Sequence, residues 1–115
     1  MVVTIDLKAV KLDGTEEEFA DILKKLGYRS HSNGSWNYSD ANSKRGVWAY
    51  VHDNEITFTT YMNRNDADMQ KQVNSANIMA VMFNGKVFDP QTSEYIQPKL
   101  KKSERIKIME WRLLK

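Results

Sequence analysis

The sequence predicts an α+β fold: an antiparallel β-sheet built from hairpins, with one well-defined N-terminal helix packed on it and one or two further helices. Three observations carry this expectation. Two runs rich in β-branched and aromatic residues, Gly46–His52 and Glu55–Met62, flank Asp53-Asn54, a pair that tolerates the positive φ of a tight turn. Asn-Gly pairs recur at 33–34 and 84–85, each a strong hairpin signal. Residues 16–26 carry a helical apolar stripe with stop signals at both ends.

From the N-terminus, Val3, Ile5, Leu7 and Ala9 alternate with Thr4, Asp6 and Lys8, the pattern of a half-buried strand. Asp13-Gly14 breaks it. Thr15 with Glu18 three residues on makes a capping box. Glu16, Glu17 and Glu18 in the first turn and Lys24 and Lys25 in the last complement the helix dipole. Phe19, Ile22, Leu23 and Leu26 form one stripe, and Gly27 supplies the left-handed stop. Next, Ser32 opposite Ser35 across a two-residue Asn33-Gly34 loop puts Arg29, His31, Trp36 and Tyr38 on one face.

In the central hairpin a two-residue loop at 53–54 sets Val51 opposite Ile56, Tyr50 opposite Thr57, Ala49 opposite Phe58 and Trp48 opposite Thr59. Val47, Ala49, Val51, Ile56, Phe58, Thr60 and Met62 then face the core, and Trp48, Tyr50, His52, Glu55, Thr57, Thr59 and Tyr61 the other side. Asn65 caps a second helix over 66–76, thin in apolar residues. Ile78–Phe83 is an apolar run of strand length before Asn84-Gly85, so a further hairpin is expected there. Asp89-Pro90-Gln91-Thr92 is a turn, followed by a short strand from Glu94 to Gln97 that Pro98 ends. Residues 103–115 fit a helix capped by Ser103 better than a strand, with Ile106, Met109, Leu113 and Leu114 on one face and Ile108 and Trp111 pointing away.

With 115 residues, 41% hydrophobic and 28% charged, the chain suits one domain spanning 1–115. The absence of cysteine excludes disulfides and thiolate chemistry and fits a reducing, cytoplasmic setting. No apolar run approaches the ~20 residues that span a bilayer, and Met-Val-Val-Thr-Ile-Asp does not begin a signal peptide, so no membrane association is expected. Asparagine- and lysine-rich compactness has the style of a phage or mobile-element accessory or inhibitor protein.

Two constellations point to binding. Trp36, Tyr38, Trp48, Tyr50 and Tyr61 lie side by side if the 33–34 hairpin joins the central sheet, and clustered rings suit a protein interface or a stacking platform for bases. Between Lys99 and Lys115 seven basic residues face only Glu104 and Glu110, so the segment carries +5 of a chain whose net charge is +2. The leading expectation is a non-enzymatic binding protein that engages a protein partner, or itself as a homo-oligomer, through the aromatic face. The alternative is a module for nucleic acid or a nucleotide-like phosphorylated ligand, gripping phosphates with Arg29, Arg45, Arg64, Lys101, Lys102 and Arg105.

No catalytic residue is expected. His52, Asp53 and Glu55 crowd one hairpin tip without metal-ligand spacing. Asn63, Asn65, Asp66 and Asp68 lack the glycine and closing glutamate of a calcium loop and read as helix caps. Ser30, Ser32 and Ser35 flank His31 without a nucleophile turn, and phosphate-cradling glycine motifs are absent. Neither a cofactor nor a metal is expected.

Overall fold

A computed structural model describes residues 3–113. Seven strands form one antiparallel sheet: β1 (Thr4–Val10), β2 (Arg29–Ser30), β3 (Ser35–Tyr38), β4 (Val47–His52), β5 (Glu55–Tyr61), β6 (Lys86–Asp89) and β7 (Glu94–Ile96). Their order across the sheet is β2-β3-β4-β5-β1-β6-β7, which places the first strand of the chain near the centre. Three helices complete the fold: α1 (Glu16–Lys25), α2 (Asp66–Met82) and α3 (Lys102–Leu113).

Strand alternation gives the sheet two unlike sides. Leu7, Ala9, Trp36, Val47, Ala49, Ile56, Phe58 and Val87 point to one side and are buried in a cluster with Phe19, Ile22 and Leu23 of α1, Ala76 and Met79 of α2, and Ile108 of α3. All three helices therefore lie on the same side. The central hairpin has the register its turn pair implies, with Trp48 opposite Thr59 and His52 opposite Glu55, and Asp53 takes a φ of 51°.

Helix α1 begins with the capping box: the Glu18 amide donates to Thr15 Oγ1 at 3.2 Å, and the Thr15 amide to Glu18 Oε1 at 3.0 Å. It ends in a full Schellman turn, in which Gly27 at φ 92° lets its own amide reach Lys24 O and the Tyr28 amide reach Leu23 O.

Three sequence expectations are corrected. First, residues 78–83 are not a strand: α2 runs unbroken from Asp66 to Met82. Its sheet-facing stripe starts with Asp68, Gln72 and Ser75, all buried, so the helical period is hidden from hydrophobic patterning until Ala76 and Met79 continue it. Asn84-Gly85 ends this helix instead of turning a hairpin. Asn84 has a φ of 53° and the Gly85 amide donates to Ala80 O at 2.8 Å, a helix stop that needs the same positive φ as a tight turn.

Second, three residues, 32–34, lie between the hydrogen-bonded His31 and Ser35. Arg29 pairs with Asn37 and Ser30 with Trp36, one position away from the two-residue-loop register. The Gly34 amide returns to His31 O, and Gly34 takes the left-handed φ of 86°. A one-residue slip exchanges the faces of paired strands, so Arg29 and His31 share a side with Ser35 and Asn37, not with Trp36 and Tyr38.

Third, α3 buries Ile108 and half-buries Trp111, while Ile106, Met109 and Leu113 stand exposed. Its first turn is closed by Glu104 Oε1, which accepts from the Lys101 amide at 2.9 Å, rather than by Ser103. Leu114 lies outside the described residues.

Leu23 of α1 is fully buried in the core cluster. Leu23→Ala is expected to lower unfolding free energy by about 2–5 kcal/mol; a urea titration showing a loss below about half a kcal/mol would contradict this packing.

Candidate binding face

The side of the sheet away from the helices is covered by no element of the described chain. Strand pairing arranges its side chains in rows. One row crosses the sheet as Ser35, Tyr50, Thr57, Lys8, Phe88 and Tyr95, with His31 beside Ser35 at the β2 end. A neighbouring row runs Arg29, Asn37, Trp48, Thr59 and Asp6.

The rings form two islands and not one cluster. On the β2–β4 flank, His31 stacks near Trp48 with centroids 5.5 Å apart, and Tyr50 is 45% exposed. On the β6–β7 flank, Phe88 and Tyr95 lie 5.1 Å apart, with the ammonium groups of Lys11 and Lys86 each 5.4 Å from the Tyr95 ring. Tyr61 sits at one end of β5 with the Arg45 guanidinium 5.5 Å from its centroid. Between the islands runs a polar seam: Thr59 Oγ1 donates to Asp6 Oδ1 at 2.7 Å, and Lys8 Nζ lies 3.4 Å from Glu55 Oε1.

Of the residues singled out from sequence, Trp48, Tyr50, Tyr61, Arg29 and Arg45 come together on this face. Trp36 and Tyr38 do not, because Trp36 pairs with Ala49 and Tyr38 with Val47, which places both on the helix side. Trp36 is buried there, and the Tyr38 hydroxyl donates to Asp40 Oδ2 at 2.5 Å. Arg64 also lies on the helix side, its Nη1 donating to Thr60 Oγ1 at 2.9 Å and Gln72 Oε1 at 2.5 Å. Lys101, immediately before α3, and Lys102 and Arg105 within it belong to the helix layer, because α3 packs through Ile108. The basic segment and the outer rings are therefore on opposite sides of the molecule. Sequence reasoning missed Phe88 and Tyr95, whose signal was their alternation with Val87 and Ile96; a wrong partner for the 86–88 strand concealed which side they face.

No family model matches the chain, and no curated protein matches it.

One further concentration of chemistry lies in the helix layer. Lys71 on α2 donates from Nζ to the C-terminal carbonyl of Leu26 and sits 3.9 Å from the Tyr38 ring centroid and 5.4 Å from that of Tyr28. The Tyr28 hydroxyl shares a 2.7 Å hydrogen bond with Ser75 Oγ. With its amine held by a carbonyl and a ring, Lys71 fastens α1 to α2 and β3 rather than presenting a nucleophile.

Burial lowers the Lys71 pKa to about 8 from the ordinary 10.5, against the attraction of Asp40 and with the repulsion of Lys107. Burial raises the Tyr28 pKa above its ordinary 10.0, opposed by the Ser75 hydrogen bond. Between pH 8 and 10.5 the unfolded chain keeps a lysine proton that the folded chain has lost, so stability rises with pH there. Above pH 10 the folded chain keeps a tyrosine proton that the unfolded chain loses, so stability falls. Urea midpoints measured from pH 7 upward should therefore climb past pH 8 and turn over above pH 10. Lys71→Met should remove the climb and leave the fall.

Proposed function

We propose that this chain is a non-enzymatic binding protein whose working surface is the uncovered outer face of the sheet, and that the surface engages another protein, a second copy of the chain being one case. The observation that carries this reading is the uncovered sheet side itself, with Trp48 and Tyr50 on one flank and Phe88 and Tyr95 on the other. Tyrosine and tryptophan bury large areas at low rotamer cost and dominate the energetics of protein interfaces. The threonines and paired charges between the islands suit a polar contact zone better than a dry core. Arg29 and Arg45 add cations at its border.

The second reading, a single-stranded nucleic acid laid across the same rings, draws support from the cations stationed over Tyr61 and Tyr95. It is the weaker one because Lys101, Lys102 and Arg105 lie in the other layer.

The test is a Trp48→Ser/Tyr50→Ser double variant. Its melting temperature should stay close to that of the parent, since both residues lie outside the buried cluster. Loss of two interface rings should weaken binding by about 2 kcal/mol or more, some thirtyfold. Sedimentation velocity reads the self-associating case, and quantitative pull-down with mass spectrometry the heterologous one. A parent that stays monomeric and captures the same proteins as the variant overturns the proposal. A gel shift that weakens steeply with salt and is lost in the variant would instead favour nucleic acid.

A further inference from the structure

Apart from the outer face, the helix layer contains a cavity of about 340 Å³ between β1, α2 and the β6–β7 hairpin. Ile5, Leu7, Val73, Val87 and Ile96 supply its apolar lining. Val73 and Ile96 remain 39% and 42% exposed, so the cavity has an open mouth. A space of this size, mostly apolar with a few convergent polar groups, is what a small-molecule site requires.

Charged residues of both signs line the cavity, Arg64 and Lys99 with Asp6 and Asp89. Arg64 spends Nη1 on Thr60 and Gln72, which hold the guanidinium in place. Its Nη2 and Nε have no hydrogen bond to any described residue, and no described carboxylate forms an ion pair with it. The Nη2–Nε edge of a guanidinium is a two-donor fork that matches the two oxygens of a carboxylate.

The two acids of the lining are already engaged. Asp6 accepts from Thr59 on the outer side, and Asp89 accepts from the Gln91 amide at 2.9 Å and its Nε2 at 2.6 Å. A half-buried arginine, fixed by two neutral partners and lacking an anion, leaves favourable charge unused beside an apolar hollow.

We propose that this cavity binds a small monocarboxylic acid with a short apolar body, its carboxylate on the free edge of Arg64 and its hydrocarbon against Ile5, Leu7, Val73, Val87 and Ile96. The site is separate from the outer face and stands or falls independently of it. Lys99, whose carbonyl is held by Asn77 Nδ2 at 3.0 Å, adds a second cation to the same cavity.

The probe is octanoate below its micellar concentration, compared by titration calorimetry with 1-octanol, which has the same chain and no charge. Octanoate should bind saturably and about tenfold or more tighter than octanol. Arg64→Gln should remove that preference while leaving octanol binding intact. Val73→Trp, at a partly exposed helix position that tolerates a larger side chain, should fill the cavity and abolish binding of both. The proposal is overturned by absence of saturable octanoate binding, by equal affinity for octanol, or by a folded Arg64→Gln that keeps the preference. Should Arg64→Gln unfold through loss of its support to Thr60 and Gln72, Val73→Trp decides: octanoate binding retained there rejects the site, and binding lost with the fold intact supports it.

Discussion

The seat of α2 on the sheet depends on two buried polar side chains one turn apart. Asp68, 1% exposed, accepts from the backbone amides of Lys44, Arg45 and Gly46 at 3.3, 2.9 and 3.2 Å. Gln72 donates from Nε2 to Ile5 O on β1 and Phe58 O on β5, both at 2.8 Å. Buried groups of this kind are costly when unpaired, and no buried side-chain nitrogen or oxygen among the described residues is left without a partner. Apolar contacts alone would let a helix slide or rotate on a sheet at small cost. Directional bonds to two strands and one loop do not. The same Asp68 contact pins the loop at Arg45, whose guanidinium reaches the Tyr61 ring on the other side of the sheet. A helix-layer carboxylate thus helps to set one cation of the outer face.

The helices are also fastened to one another at their C-terminal ends. Lys71 of α2 caps α1 at Leu26, and Arg112 of α3 donates to Val81 O of α2 at 2.8 Å. Each cation meets the negative end of a neighbour's dipole and occupies a carbonyl that has no partner within its own helix. This ties all three helices into one layer and leaves the opposite sheet side to solvent or a partner. That side is protected against edge pairing by its short terminal strands, two residues in β2 and three in β7. The Lys8–Glu55 pair and the cations over Tyr61 and Tyr95 put charge among the rings.

What was legible in the chain is what local chemistry decides. Capping box, dipole-matched charges and Gly27 delimit α1 without any tertiary information, and Asp53-Asn54 with clean alternation on both sides determines the central register. The second half of α2 was illegible for two separate reasons. Asp68, Gln72 and Ser75 occupy core-facing positions for the sake of hydrogen bonds, which erases the apolar period where a helix would be recognised. Ile78 to Phe83 is then apolar all round because the helix is enclosed there, and a short apolar run does not distinguish strand from buried helix. In α3 both faces carry large apolar residues, so the sequence contains two candidate stripes and packing on α2 selects the one through Ile108.

The binding face turned on a single residue of register. Trp36 pairs with Ala49 and Tyr38 with Val47; a β3–β4 pairing shifted by one residue would have put both rings beside Trp48 and made one broad aromatic cluster. It would also have turned Ser35 and Asn37 toward the helices, where Val47 and Ala49 are fully buried and apolar partners surround them. Ser35 to Tyr38 has only one apolar side, and the core competes for it. Burying the Trp36 ring is worth on the order of 2–3 kcal/mol, which favours the pairing that turns it to the helix side. With β3 so placed, a three-residue loop keeps Arg29 and His31 off the helix side, and Gly34 supplies its left-handed position. The alternation of β3 itself contained the answer once β4 is its neighbour, because register follows the hydrophobic pattern wherever one face is buried. The outer face is consequently left with two smaller islands separated by a threonine and ion-pair seam, a surface that discriminates by the spacing of its rings as well as by their area.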